Sequence, residues 1–118
     1  MKNINKVIIT GNLTHDPEQQ STPQGNIVLK FSVAVNDSVK QGDEWVDRPN
    51  YVDCVMFGKG ARALSAHLRK GMKVAVEGKL RWSSWQDKQT GQNRSKLEVA
   101  VGEIEFMTPR DPQAQPVQ

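Results

Sequence analysis

Ala61-Arg-Ala-Leu-Ser-Ala-His-Leu-Arg-Lys70 is the one stretch of this chain in which the apolar residues do not alternate. Ala61, Leu64, Ser65 and Leu68 recur at helical spacing, and Gly71 follows Arg69 and Lys70 as expected for a helix end. The segments on either side read in period two, so the position of this short helix among the strands decides the fold.

The clearest strand is Ile27-Val-Leu-Lys-Phe-Ser-Val-Ala-Val-Asn36. Ile27, Leu29, Phe31, Val33 and Val35 fall on one face, with Lys30, Ser32 and Asn36 on the other. A short strand precedes it over residues 6–10, and Asp16-Pro and Thr22-Pro-Gln-Gly25 supply turn chemistry between the two. The third strand, Tyr51-Val-Asp-Cys-Val-Met-Phe57, is apolar on both faces, so one face should meet the barrel and the other something else. After the helix come a fourth strand over about residues 73–85 and a fifth over about 94–101. Ile104 and Phe106 lie off the parity of the fifth strand, which predicts a bulge at Gly102. The reading is all-β: an OB-fold, a five-stranded barrel with one short helix between strands 3 and 4, of the kind that binds oligonucleotides or oligosaccharides.

A chain of 118 residues is one domain's length and buries a core without disulfides. Residues 1–107 are expected to form that domain, and the Pro- and Gln-rich residues 108–118 a disordered tail. The single cysteine, Cys54, rules out an internal disulfide framework and a cysteine zinc site; among Val52, Val55 and Met56 it reads as a buried, inert thiol. No run approaches the roughly 18 apolar residues of a membrane span, and residues 1–6 lack a signal-peptide core, so a soluble, cytoplasmic protein is expected. The net charge of +3 is unevenly spread. Residues 59–96 carry ten basic side chains against Glu77 and Asp87, while the rest of the chain carries six basic and eleven acidic ones. A basic segment fits an anionic partner, nucleic acid first, or an ordinary solvated surface.

Several blocks in this order match a known family: Asn5-Lys-Val-Ile-Ile-Thr-Gly-Asn-Leu13, Asp16-Pro-Glu18, Thr22 to Gly25, Phe57-Gly-Lys59, Leu68-Arg-Lys-Gly71, Val76-Glu-Gly-Lys-Leu-Arg81 and Trp85. Over about residues 5–107 the chain resembles the bacterial-type single-stranded DNA-binding proteins. The resemblance implies an OB-fold that assembles as a homotetramer, with a dimer as the alternative, and wraps single-stranded DNA without sequence preference. It implies service in replication, recombination and repair near the nucleoid, and it implies no catalysis, metal or cofactor. It also implies recruitment of replication and repair proteins through an acidic C-terminal tip. This sequence ends in Gln115-Pro-Val-Gln118 with only Asp111 after Pro109, so that recruitment lacks its expected carrier. A truncated chain, or a plasmid, phage or accessory version, would have such an end.

Single strands are held by cations for phosphates and by aromatic rings for bases, each stack contributing about 1–3 kcal/mol. Trp82 and Trp85 sit in a polar, basic run with little apolar company. Parity separates them: Val74, Val76, Leu80 and Trp82 share one face, the first three reading as core, whereas Lys79, Arg81, Ser83 and Trp85 share the other. Trp85 therefore lies on the basic face, and the resemblance makes it a stacking ring. Trp82 is left as barrel-end packing or as an additional stack. The resemblance also makes Tyr51 and Phe57 base contacts, with core packing as the plainer alternative. It turns residues 36–50 into a hairpin loop around DNA, where Trp45 either stacks or packs the loop. Composition makes that loop polar, flexible and acidic. For phosphates the candidates are Lys6, Lys30, Lys59, Lys79, Arg81, Lys88, Arg94 and Lys96. Asp53 shares a face with Tyr51 and Phe57 and should pair with a neighbouring cation that the sequence does not specify.

Two rival functions stand beside this one. A nuclease lacks its chemistry here, since His15 and His67 stand far apart and Cys54 has no zinc partners. An OB-fold assembly module of a replication-restart complex, like primosomal replication protein N, would bind DNA only secondarily.

Overall fold

In the computed structural model, which describes residues 2–107, the elements run β1 (Val7–Leu13), β2 (Glu18–Ser21), β3 (Ile27–Gln41), β4 (Glu44–Phe57), α1 (Lys59–Ser65), β5 (Lys73–Gln86) and β6 (Asn93–Phe106). The strands lie in the order β1-β5-β6-β4-β3, and β1 returns to β3 through Asn12↔Ala34 and Leu13↔Val33. That contact closes a five-stranded barrel, with the helix between its third and fourth strands. β2 lies outside the ring, paired with the start of β3 from Glu18↔Lys30 to Ser21↔Ile27. The expected tail from residue 108 lies outside the described residues. Among the described residues no helix is long and apolar enough to cross a membrane.

The core follows the parity of the strands. Leu29, Phe31 and Val33 of β3, Cys54 of β4, Val74 and Val76 of β5 and Val99 of β6 are all buried in one cluster with Leu13. Ala61 and Leu68 plug this cluster from the helical segment, which explains their helical spacing. The helix is shorter than its pattern predicts: it stops at Ser65, and the chain reaches Leu68 through a turn in which Leu64 O accepts from both His67 N and Leu68 N. Gly71 lies beyond that turn, donating its N–H to Leu13 O at 2.9 Å on the way into β5. Burial pushes the Cys54 thiol up to about 12, so it stays protonated and unreactive.

The ring can close because two glycines let backbones touch. A Cβ on Gly11 would stand 2.3 Å from Ala34 O, and one on Gly78 would stand 2.3 Å from Ala100 O. The bulge read at Gly102 is present: Glu77 pairs with Glu103 and Gly78 with Val101, leaving Gly102 unpaired. This step restores Ile104 and Phe106 to the face of Val76 and Val74.

Both long hairpins outrun the barrel. Residues 36–50, read from composition as a flexible loop, continue the β3–β4 ladder to Gln41↔Glu44. The turn is Gly42-Asp43, and the positive φ of Gly42, 61°, is the first-position geometry of a two-residue type II′ hairpin. The β5–β6 hairpin likewise continues past Gly78 to Gln86↔Asn93. Leu80 was expected in the core by parity, but it is 47% exposed because β5 has already left the barrel there. The base of this arm is held by Asn5, whose side chain donates to Leu80 O at 2.9 Å and accepts from Leu80 N at 2.8 Å. It thus mimics one more residue of β1.

Gly11→Ala forces its methyl against a carbonyl that cannot move without opening the ring. It should cost about 1–3 kcal/mol, read as a lower Tm in thermal unfolding, whereas exposed Thr10→Ala should stay within about 0.5 kcal/mol.

Candidate nucleic-acid interface

Cross-strand pairs share a face in an antiparallel ladder, so register fixes what looks outward. On β3–β4 the outward row contains Val28↔Phe57, Lys30↔Val55, Ser32↔Asp53, Ala34↔Tyr51 and Lys40↔Trp45. On β5–β6 it contains Arg81↔Glu98, Ser83↔Lys96 and Trp85↔Arg94. Barrel curvature brings the two rows together at one groove with about 370 Å³ of space. Val28 of β3 and Val55 of β4, both buried, line it among polar side chains, so the second apolar face read for Tyr51–Phe57 lies at this groove. Phe57 and Trp85 line the same groove, each roughly half exposed at 48% and 45%.

The cations are arranged around those rings. The Arg81 guanidinium carbon stands 4.9 Å from the centre of the Phe57 ring. Lys96 Nζ stands 6.0 Å from the centre of the Trp85 ring. Lys30 lines the same groove and has no ion pair among the described residues. Asp53 finds its cation in Lys96, at 3.1 Å, and also accepts from Ser32 Oγ at 2.6 Å. Those two donors, the hydroxyl first and then the ammonium, hold the Asp53 carboxyl below the usual carboxylate range against the opposing effect of its partial burial.

The other expected residues divide into groups. Tyr51 and Trp45 are exposed on the same face of β4 as Phe57, further along the arm. Trp82 is 65% exposed, so it does not pack the barrel end. It faces away from Trp85 by register and pairs with exposed Leu97, beside Leu80. The two tryptophans nevertheless line one hollow near the tip of the β5–β6 arm, with Asn93, Arg94 and Ser95. Lys79 and Lys88 are exposed with no ion pair among the described residues. Lys6 is drawn to Glu77 at 2.7 Å, and that carboxylate raises its affinity for its proton. Arg94 is drawn to Asp87 at 2.9 Å. Lys59 lies on a separate small hollow with Gly58 and Arg62. The groove thus gathers Phe57, Trp85, Lys30, Arg81 and Lys96, while Lys6 and Lys59 line none of it.

The comparisons with known proteins fit this picture. A family model, the Single-strand binding protein family, matches residues 4–107. The chain belongs to the single-strand binding protein family. Among curated relatives it is 44% identical over 108 residues to the single-stranded DNA-binding protein of Borreliella burgdorferi, covering 92% of this chain and 72% of that one. It is 41% identical over 107 residues to the protein of the same name from Treponema pallidum, covering 91% and 60%. A third, from Wolinella succinogenes, is 38% identical over 104 residues, covering 87% and 64%. The chain therefore spans roughly two thirds of the length of these relatives.

For a member of the single-strand binding protein family, the sequence left part of the groove unseen. Gln20, Ser21 and Thr22 form one wall and Glu98, nearly buried, lies on another. The run Glu18–Ser21 has no apolar alternation, so only its pairing to β3 reveals it as a strand. Glu98 stands opposite Arg81, a register set by the turn between Gln86 and Asn93.

Asp87 organises the tip of the β5–β6 arm. Its carboxylate accepts from Gln89 N at 2.8 Å and Thr90 N at 3.3 Å, which with Arg94 keeps its carboxyl below the ordinary range. A depressed folded pKa gives stability that is present above the unfolded pKa of about 3.9 and lost as pH falls through the folded value. The stability difference between the unmodified protein and Asp87→Ala should therefore shrink as pH is lowered from 5 toward 2, followed by thermal unfolding.

Proposed function

We propose that this chain binds single-stranded DNA without sequence preference and protects it during replication, recombination and repair. The observation that supports this best is the pair of half-exposed rings, Phe57 and Trp85, on different strands of one groove that also holds Arg81, Lys96 and Lys30. Every base has a flat face, so rings offer affinity for any sequence, and cations at the same groove neutralise the adjoining phosphates. Tyr51 and Trp45 extend the stacking row along the β3–β4 arm, and Trp82 with Leu97 adds a platform near the tip of the other arm. Lys79, Lys88 and Arg94 carry the phosphate path along that arm. Lys6 and Lys59 serve the same electrostatic field from outside the groove. The binding reaction needs no catalytic group, metal or cofactor.

The rings are spread over two arms, so a strand that visits them wraps rather than crosses. Longer DNA then calls for several copies, and a homotetramer is the assembly we propose. Support comes from β1: Val7–Leu13 pairs with β5 along one edge, but its other edge meets β3 only at Asn12 and Leu13. Ile8 is exposed on that strand, and an open edge with an apolar residue favours pairing with another copy. A cytoplasmic, nucleoid-associated location accompanies this reading.

The test is a tryptophan-fluorescence titration with oligothymidine and with duplex of equal length, at low and high salt. Strong quenching by the single strand alone is expected, with binding weakened by about 1–3 kcal/mol in Trp85→Ala. Equal binding of duplex, or no quenching, overturns the reading and favours an assembly module whose rings are structural. Lys30→Ala should weaken binding to all sequences alike and lower the log–log salt slope by about 0.7.

A further inference from the structure

The groove that should attract phosphates is lined by one carboxylate, Glu98, and a second, Asp53, lines the adjoining hollow, which shares Lys30, Lys96 and Glu98 with it. Lys96 Nζ lies 3.1 Å from Asp53 Oδ2 and 3.9 Å from Glu98 Oε1, with the Trp85 ring 6.0 Å away. Asp53 stands on the outward row of β4 between Tyr51 and Phe57, the same row that carries the rings. Its second oxygen accepts from Ser32 Oγ at 2.6 Å, which fixes the carboxylate toward β6. An anion of the chain itself thus already stands opposite Lys96.

We propose that Asp53 is an internal stand-in for a phosphate: it holds Lys96 from the adjoining hollow and yields it to the incoming strand. This inference rests on the single-strand-binding reading. The exchange is easy because the pair is half open to solvent, with side-chain exposures of 38% for Lys96 and 49% for Asp53. An ion pair of this kind contributes little, less than one base stack, so binding can open it. Until then Lys96 is held in one place and aimed beside the Trp85 ring, where a base and its phosphate arrive together.

The exchange leaves a signature in the salt dependence. A lysine that meets a phosphate releases a counterion from the DNA. Asp53, deprived of Lys96, draws a cation back from solution. The two events nearly cancel, so in the unmodified protein Lys96 contributes almost nothing to the salt slope despite touching DNA. Asp53 acts through Lys96 and is a positioning residue.

The experiment compares oligothymidine binding by the unmodified protein, Asp53→Asn, Lys96→Met and the double variant across a salt series, with thermal unfolding confirming that each is folded. Asn keeps an oxygen for the Ser32 hydrogen bond and removes only the charge. Asp53→Asn is expected to bind about threefold tighter at low salt, the scale of one exposed ion pair. Its log–log slope should steepen by about 0.7, one phosphate on a single strand. In the Lys96→Met background the same change should leave the slope where it is. An unchanged slope in Asp53→Asn, weaker binding, or the same steepening in both backgrounds overturns the proposal while leaving single-strand binding intact. Failure of the unmodified protein to bind oligothymidine overturns both.

Discussion

The structure depends on two places where backbones approach too closely for any side chain. Gly11 lies against the carbonyl of Ala34 and Gly78 against that of Ala100. The first contact lets β1 reach β3 and complete the ring. The second sits where β5 leaves the ring, across from the residue pair that the Gly102 bulge displaces. Because the ring closes over a core built from one face of each strand, the opposite face is free to carry function. Because the strands continue past the closure, that face extends along two arms. The groove and its rings follow from the closure; they are not separate additions to it.

The basic surface mixes attraction and self-pairing in a way that net charge does not convey. Of the eight cations expected to meet phosphates, Lys6, Arg94 and Lys96 are each drawn to a carboxylate of the chain itself. These pairs are exposed, and exposed pairs are weak. They organise side chains without sequestering them. Arg81 beside Phe57 and Lys96 beside Trp85 place charge next to a flat ring, so stacking and phosphate contact are spatially linked. Hydrogen bonds complete the frame: Asn5 continues the ladder at Leu80, and Asp87 folds the tip of the β5–β6 arm.

How much was legible varies by element. The alternation in residues 27–36 named Leu29, Phe31 and Val33 as core because the period of a strand is fixed at two. The same rule put Trp85 on the basic face and found the bulge from the shifted parity of Ile104 and Phe106. The rule failed for Leu80, since parity says which face a residue takes but not where the barrel ends. The arm over residues 36–50 was hidden by its polar composition, although Gly42-Asp43 is a two-residue hairpin signal. An arm exposed on both faces has no apolar stripe to announce it.

The sequence by itself determined the strand faces, the core, the helix position and the residue types that can stack or neutralise. Those are local properties, set by the period of the backbone and by side-chain chemistry. Only the tertiary structure decided that Phe57 and Trp85 share one groove, that Lys96 is the partner of Asp53, and that Trp82 stands exposed beside Leu97. These outcomes join residues far apart in the chain, and the register and curvature that bring them together come from ring closure, which no single segment encodes.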